Sequence, residues 1–217
     1  MRFDGLIFDL DGTLWDCSKA SAEAFNRAFE TCGLTKRISD DVVRSVSGKP
    51  ADECVQILLS DVPYEKCQSL SQALDRFELD SIEKHAPTAL YADVCAGLHK
   101  LKSHYTLAVV SNCTESYLKL FERCTPVANL FADSECFGRT NRPKSENIRA
   151  VIERQKLRSA CYIGDTAGDE EAAMRAGIPF FHASYGFGKP RGEPIAFASF
   201  SELVGHFVTL APDYASA

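Results

Sequence analysis

The stretch FDLDGTL at residues 8–14 places two carboxylates, Asp9 and Asp11, directly after the short apolar run at residues 6–8. In an open parallel sheet, ligands bind in the crevice beyond the carboxyl ends of the strands. A loop that begins at Gly12 can curl so that both carboxylates reach one small substrate. The stretch therefore predicts a buried parallel strand with a functional site at its end.

The rest of the core sequence alternates short apolar runs with helical patterns. Predicted strands lie at residues 6–8, 107–110, 161–163, 180–181 and, more weakly, 195–197. Predicted helices lie at residues 93–102, 115–123, 146–155, 167–176 and 201–207. Continuous apolar runs separated by helices are typical of buried parallel strands. We therefore predict an α/β fold with a doubly wound parallel sheet.

Residues 17–85 differ from the core, because their pattern is helical throughout, with a break at Gly48-Lys49-Pro50 and an expected helix end at Pro87. We predict a helical insertion at residues 16–87, between core segments 1–15 and 88–217. We expect the apolar side chains of this insertion to form its own core rather than a substrate pocket. Those side chains include Phe25, Phe29, Ile57, Leu58 and Leu74.

Composition limits the classes of partner. Lysines and arginines number 24 against 30 acids, and the resulting net charge of −6 disfavours nucleic acids and anionic membranes. The nine cysteines are odd in number and show no CxxC spacing, which favours reduced thiols in the cytoplasm. No window approaches the roughly 18 consecutive apolar residues of a membrane span. A monomer is the default expectation, and an oligomer stays open.

Polar side chains follow three of the predicted strands where ligands would bind. Four of them are carboxylates: Asp9, Asp11, Asp165 and Asp169. Four carboxylates in one crevice repel one another unless a hard divalent cation lies between them. We therefore predict a metal site, with Mg²⁺ as the first choice. For Asp169, stabilisation of a helix N-terminus is a competing explanation.

The same residue types fit phosphoryl transfer. Asp9 can attack phosphorus to give an aspartyl-phosphate, while Asp11 donates a proton to the leaving oxygen and then activates the hydrolytic water. Lys144 would neutralise the charge on phosphate and nucleophile, although taken alone it reads as a solvated surface lysine. The Ser111 hydroxyl and the Asn112 backbone N–H would hold phosphate oxygens.

Four motifs together resemble those of the haloacid dehalogenase superfamily in its phosphatase branch. They are DLDGT at 9–13, VVSN at 109–112, RPKSEN at 142–147 and YIGDTAGDEEAAMRAG at 162–177. The likeness extends from residue 3 to about residue 183, with the motifs in the order typical of that superfamily. It implies a Rossmann-like core, an inserted helical cap, dependence on Mg²⁺ and a phosphoenzyme intermediate.

The resemblance also implies roles for individual residues. Asp9 would be the nucleophile, Asp11 the general acid and base, and Lys144 a contact to both nucleophile and phosphate. The implied metal ligands are Asp9, the Asp11 backbone carbonyl, Asp165 and Asp169, the last directly or through a water. An acid at position 11 favours a phosphatase, because dehalogenases and phosphonate-cleaving members lack it.

The insertion and the stretch ASYGFGKP at 183–190 resemble the phosphoglycolate phosphatase-like group. The segment at 91–94 and the third motif depart from that group's usual pattern, which affects the choice of substrate more than the chemistry. We predict a phosphatase acting on a small phosphorylated metabolite, with phosphoglycolate as the first candidate and Lys49 reaching an anionic substrate. The alternatives are a phosphomutase on a sugar phosphate and a non-catalytic module that binds a phosphate ligand.

Overall fold

A computed structural model describes residues 2–211, apart from the side chains at positions 64, 67, 68 and 75. Its centre is a six-stranded parallel sheet with the strand order β3-β2-β1-β4-β5-β6. The strands are β1 (Gly5–Phe8), β2 (Thr106–Ser111), β3 (Asp133–Cys136), β4 (Ala160–Gly164), β5 (Phe180–Ala183) and β6 (Ala196–Phe197). The predicted α/β fold with a doubly wound, Rossmann-like sheet is confirmed.

Helices cover both faces of this sheet. They are α5 (Val94–Lys102), α6 (Glu115–Cys124), α7 (Phe137–Thr140), α8 (Lys144–Arg154), α9 (Ala167–Ala176) and α10 (Phe200–Leu210), with a 3₁₀ turn at Ala128–Leu130. Successive side chains of a strand point to opposite faces. Leu6 and Phe8 accordingly pack with α5, α6 and α10, whereas Ile7 packs with α8 and α9. Burial on both faces explains why the central strands are continuous apolar runs.

Four helices lie between β1 and α5, and we call them the helical insert. They are α1 (Ser18–Thr31), α2 (Asp40–Val46), α3 (Ala51–Leu58) and α4 (Tyr64–Ala89). The insert has a hydrophobic cluster of its own, which includes Phe25, Phe29, Leu58 and Leu74 as expected. The prediction that Ile57 belongs to that core is wrong, because its side chain points outward and is 42% exposed.

Helix α4 continues through Pro87, so the prediction that this proline ends the helix is wrong. Proline removes one backbone donor and crowds the carbonyl four residues earlier, which is costly in a helix interior. Pro87 lies in the last turn, where Ala86 and Ala89 are buried against the core. Packing of that turn keeps the helix intact for two residues beyond the proline.

Strand β3 is absent from the sequence-based prediction, because its sequence DSEC contains no apolar run. It lies at the edge of the sheet beside β2. Arg154 of α8 pairs with both of its acids, at 2.9 Å to Asp133 and 2.9 Å to Glu135. An edge strand is buried less completely than a central one, so polar residues are tolerated there.

Within residues 2–211, none of the helices combines the length and the apolar composition needed to cross a membrane.

Candidate active site

The carboxyl ends of three neighbouring strands bring the predicted site residues together. Phe8 at the end of β1 is in register with Val109 of β2 and Ile163 of β4. Asp9, Ser111 and Asp165 follow at nearly the same level of the sheet. All three are at least 96% buried. The sheet register therefore places these side chains around one small volume.

Lys144 is the first residue of α8, directly after Pro143, and its side chain reaches into this volume. Its Nζ lies 2.8 Å from Asp9 Oδ1 and 2.6 Å from Asp169 Oδ1, and all three residues are buried. A cation at a helix N-terminus opposes the helix dipole. Although burial lowers the pKa of Lys144, the carboxylates of Asp169 and Asp9 raise it, so the lysine stays charged.

Asp169 also ends a capping box at the start of α9. Its Oδ2 accepts hydrogen bonds from Thr166 Oγ1 at 2.6 Å, from Thr166 N at 2.9 Å and from Asp165 N at 3.2 Å. Its Oδ1 is the oxygen that contacts Lys144. Both carboxylate oxygens of Asp169 are therefore engaged, and the helix-capping explanation applies alongside any role in metal binding.

Asp165 presents one satisfied and one unsatisfied oxygen. Its Oδ2 accepts from the backbone N–H of Phe187 at 2.7 Å and of Gly188 at 3.2 Å. Its Oδ1 is buried and has no hydrogen-bond partner among the described residues. Burial, together with the charges of Asp169 and Asp9, raises the pKa of Asp165 well above its usual value. A buried carboxylate oxygen without a donor is the kind of atom that a cation satisfies.

The acids that gather closely are Asp9, Asp165 and Asp169, which can each place an oxygen within 4.8 Å of the others. Burial and the charge of Asp169 together raise the pKa of Asp9 to about 6, against the opposing effect of Lys144. Lys144 supplies one positive charge against three carboxylates. The donor set, all oxygen and short of positive charge, fits a hard divalent cation such as Mg²⁺.

The Asp11 side chain points away from this cluster. Its Oδ1 accepts from Tyr117 Oη at 2.5 Å and from Trp15 Nε1 at 3.0 Å. Burial raises the pKa of Asp11 to about 7, and the Tyr117 hydrogen bond opposes that shift. A carboxyl group that titrates near neutral pH can both donate and accept a proton under working conditions.

Gly12 allows the loop after β1 to lie against Asp165. Its φ of +79° is in the left-handed region, and a Cβ there would lie 2.3 Å from Asp165 Oδ2. Glycine satisfies both constraints, because it adopts a positive φ readily and has no Cβ to collide with Asp165. The chain after Asp11 therefore turns within contact distance of the carboxylate cluster.

Ser111 and Asn112 lie at the end of β2 in the site, and Asn112 connects the core to the helical insert. Ser111 is 4% exposed, and its Oγ accepts from Cys113 N at 3.4 Å. Asn112 Nδ2 donates to the Gly48 carbonyl at 2.8 Å, which holds the loop between α2 and α3 over the site. Gly48 has φ +88°, and a Cβ there would lie 2.8 Å from the Thr166 methyl group.

Lys49 does not join the buried cluster. Its Nζ pairs with Glu53 Oε1 at 2.9 Å on the surface of the insert, where both side chains are about half exposed. It does line the cavity that opens above Asp9 and Asp11, whose volume is about 130 Å³. The selection of an anionic substrate by Lys49 stays a prediction.

Residues that contact the predicted site residues but were not themselves predicted as site residues include Trp15, Tyr117, Tyr162, Thr166, Phe187 and Gly188. Only Thr166 had a local signal, because a threonine three residues before an acid is the pattern of a capping box. Trp15 is only four residues from Asp11, but no spacing rule connects the two, and Tyr117, Phe187 and Gly188 come from more distant parts of the chain.

A family model described as "Haloacid dehalogenase-like hydrolase" matches residues 6–183. The chain belongs to the haloacid dehalogenase-like hydrolase family. The prediction of a hydrolase is thereby confirmed. The matched region contains all four motifs, both sides of the cavity and every residue of the carboxylate cluster.

Curated relatives in this family include two named phosphoglycolate phosphatase. The protein from Aquifex aeolicus is 29% identical over 191 residues, covering 85% of this chain and 86% of the relative. The protein from Aliivibrio fischeri is 28% identical over 204 residues, covering 88% of this chain and 87% of the relative. Both matches extend along most of the two chains compared.

Solved structures of the family share the fold. A protein described as a predicted phosphoglycolate phosphatase from Haemophilus somnus superimposes with a TM-score of 0.81 at 20% identity, covering 95% of this chain and 98% of that one. A haloacid dehalogenase-like family protein from Streptococcus pneumoniae gives a TM-score of 0.78 at 21% identity, covering 94% and 98%. These likenesses concern the fold alone.

Proposed function

We propose that the chain is a Mg²⁺-dependent phosphatase that hydrolyses the phosphate monoester of a small metabolite. The observation that supports this best is the buried contact of Lys144 with Asp9 and Asp169, beside Asp165. Phosphoryl transfer through a carboxylate needs a nucleophilic acid, a neutralising cation and a second acid that moves protons. Membership of a hydrolase family agrees with the same chemistry.

In the first half of the proposed reaction, a carboxylate oxygen of Asp9 attacks phosphorus and the bond from phosphorus to the alcohol oxygen breaks. Protonated Asp11 gives its proton to the departing oxygen, which leaves as the alcohol. A pKa of about 7 keeps a large protonated fraction of Asp11 near neutral pH. The Ser111 hydroxyl and the Asn112 N–H would donate to the phosphoryl oxygens as charge builds up on them.

In the second half, a water molecule attacks the phosphorus of the aspartyl-phosphate and the bond from phosphorus to Asp9 breaks. Asp11, now ionised, takes a proton from that water and returns to its starting state. Inorganic phosphate and free Asp9 are the products. Lys144, which contacts Asp9 Oδ1 at 2.8 Å, stabilises the carboxylate as it is released.

Asp9, Asp165 and the backbone carbonyl of Asp11 would hold the Mg²⁺ ion. Because both oxygens of Asp169 are already engaged, we assign it contact with the ion through a water. When bound, the ion neutralises charge on the transferring phosphoryl group. The unpartnered Oδ1 of Asp165 supports this assignment.

We also propose that residues 16–87 act as a cap over the site. Closure would exclude water during phosphoryl transfer and let residues of the insert select the leaving group. The Asn112 contact with Gly48 joins the insert to the core beside the site, and the pairing of Arg44 with Asp16 at 2.9 Å holds α2 to the segment that leads from β1 into α1. We place the enzyme in the cytoplasm, in keeping with the eight free cysteines of the described region.

The first substrate to test is phosphoglycolate, since the curated relatives have that name. We would measure phosphate release from a panel of phosphorylated metabolites with Mg²⁺, comparing the wild type with Asp9→Asn. We expect release by the wild type and none above background in the variant or with chelator. Equal release by both proteins would contradict the role of Asp9.

Two other outcomes would replace the proposal. Transfer of phosphate between positions of a bound sugar, without release, would indicate a phosphomutase. Mg²⁺-dependent ligand binding without any turnover would indicate a binding module.

A further inference from the structure

The cavity above Asp9 and Asp11 extends from the carboxylate cluster into the helical insert. Side chains of the insert line it on the side that faces away from the sheet, and Asp9, Asp11 and Lys144 line it at the other end. If phosphorus lies at Asp9, the atoms beyond the ester oxygen have this space to occupy. The chemistry of the insert wall therefore bears on the leaving group.

That wall is mainly apolar. Its larger side chains are Phe25, Val43, Val46, Val55 and Leu58. Four of them are at least 92% buried, and all five pack in the hydrophobic cluster of the insert. An apolar cavity lining has lost packing contacts on its open side, and an apolar guest restores them. The expected core of the insert is thus also one wall of the candidate substrate cavity.

The charges on this wall do not favour an anion. Within the described part of the chain, the charged side chains that line the cavity from the insert are Lys49 and Glu78. Lys49 is already paired with Glu53 at 2.9 Å, and Glu78 is itself an acid. At the core end, Lys144 is held between Asp9 and Asp169. A carboxylate placed against the insert wall would lose its hydration without gaining an unpaired cation, which is costly.

We infer that the leaving group is a neutral alcohol with an apolar body, and that a carboxylate-bearing alcohol such as glycolate is disfavoured. This inference rests on the proposed phosphatase function and specifies the substrate class of the same site. Phosphorus would lie against the polar end of the cavity, and the hydrocarbon part would lie among the valines and Leu58 of the insert.

The test compares two substrates of matched shape. Isobutyl phosphate replaces the carboxylate of phosphoglycolate by an isopropyl group of similar size. We would measure kcat/KM for both compounds with wild-type protein and Mg²⁺. We expect isobutyl phosphate to be favoured by about tenfold or more, the range that one apolar group in a fitted pocket provides.

A charge added to the wall should shift this preference. Val55 lines the cavity from α3 and is only partly buried, so Val55→Lys can place an ammonium group beside the leaving group. We expect the kcat/KM ratio to move toward phosphoglycolate by about tenfold. Ile57→Lys is the matched control, because Ile57 is on the same helix but 42% exposed and outside the cavity, and its ratio should equal that of the wild type.

The outcomes separate the inference from the proposed function. Faster hydrolysis of phosphoglycolate by the wild type would overturn the inference and leave the phosphatase function standing, even if Val55→Lys failed to fold. A loss confined to phosphoglycolate in Lys49→Gln would also overturn it, since Lys49 would then bind the carboxylate. No phosphate release from any member of a broad panel would contradict the phosphatase function, and the inference would fall with it.

Discussion

The core wall of the cavity holds its charged groups in buried hydrogen bonds, whereas the insert wall consists mainly of apolar side chains. Lys144, Asp9 and Asp169 are each at least 95% buried, and Lys144 Nζ lies within 2.8 Å of both carboxylates. On the insert side, the Asn112–Gly48 contact with the core and the Arg44–Asp16 pair within the insert are both partly exposed. The difference indicates that the core wall supplies the chemistry, while the insert wall supplies the shape and polarity of the space beside it.

The largest loss of activity is expected from a substitution in the core wall. We expect Asp165→Asn to lower kcat by at least about 100-fold, because it removes a charge that holds the metal. Without metal the same change should stabilise the protein by about 1 kcal/mol, since a buried carboxylate that repels two others becomes neutral. The Asn oxygen can still accept from the N–H groups of Phe187 and Gly188.

Thermal unfolding of the wild type and of Asp165→Asn, measured in chelator and in Mg²⁺, checks the predicted effects on stability. The wild type should gain stability from Mg²⁺ and the variant should not. If Asp165→Asn is less stable than the wild type in chelator, the carboxylate cluster is not under charge repulsion and the proposed metal site is wrong.

A smaller effect on activity is expected from the contact that holds α2 to the segment before α1. Arg44 donates to Asp16 through Nε at 3.2 Å and Nη2 at 2.9 Å. We expect Arg44→Gln to lower kcat/KM about tenfold by loosening the insert over the site. Because the pair is partly exposed, stability should change by less than about 1 kcal/mol.

Arg37→Gln is the matched control within the insert. Arg37 pairs with Glu30 at 3.7 Å on the surface, with both side chains about two-thirds exposed or more. Its activity should match the wild type. An equal fall in both variants would mean that charge on the insert matters in general, and that Arg44 has no special part in closure.

The smallest expected effect is a shift in pH dependence. The first step needs protonated Asp11, so kcat should fall as pH rises through the pKa of about 7. The Tyr117 hydrogen bond favours ionised Asp11, so Tyr117→Phe should raise this pKa and move the fall to higher pH by less than about 1 unit.

Tyr105→Phe serves as the control, because Tyr105 donates to the Phe207 carbonyl and does not contact Asp11. A pH–kcat profile of each variant decides the matter. A shift to lower pH in Tyr117→Phe would show that the hydrogen bond favours the protonated form of Asp11 instead.

Local patterns were sufficient for the central strands and the sheet type. Strands β1, β2 and β4 are buried on both faces, so their apolar runs were visible in the sequence. Strand β3 was missed because its acids face Arg154 at the sheet edge. The end of α4 was misplaced because packing of Ala86 and Ala89 overrides the local effect of Pro87.

The sequence by itself determined where the acids would gather, because parallel strands all present their carboxyl ends at one edge of the sheet. It could not show that Lys144 lies between Asp9 and Asp169, that Tyr117 contacts Asp11, or that the insert core doubles as a cavity wall. Those facts depend on contacts between residues far apart in the chain. Only the tertiary structure decides such contacts, because side-chain packing and burial have no fixed spacing along the sequence.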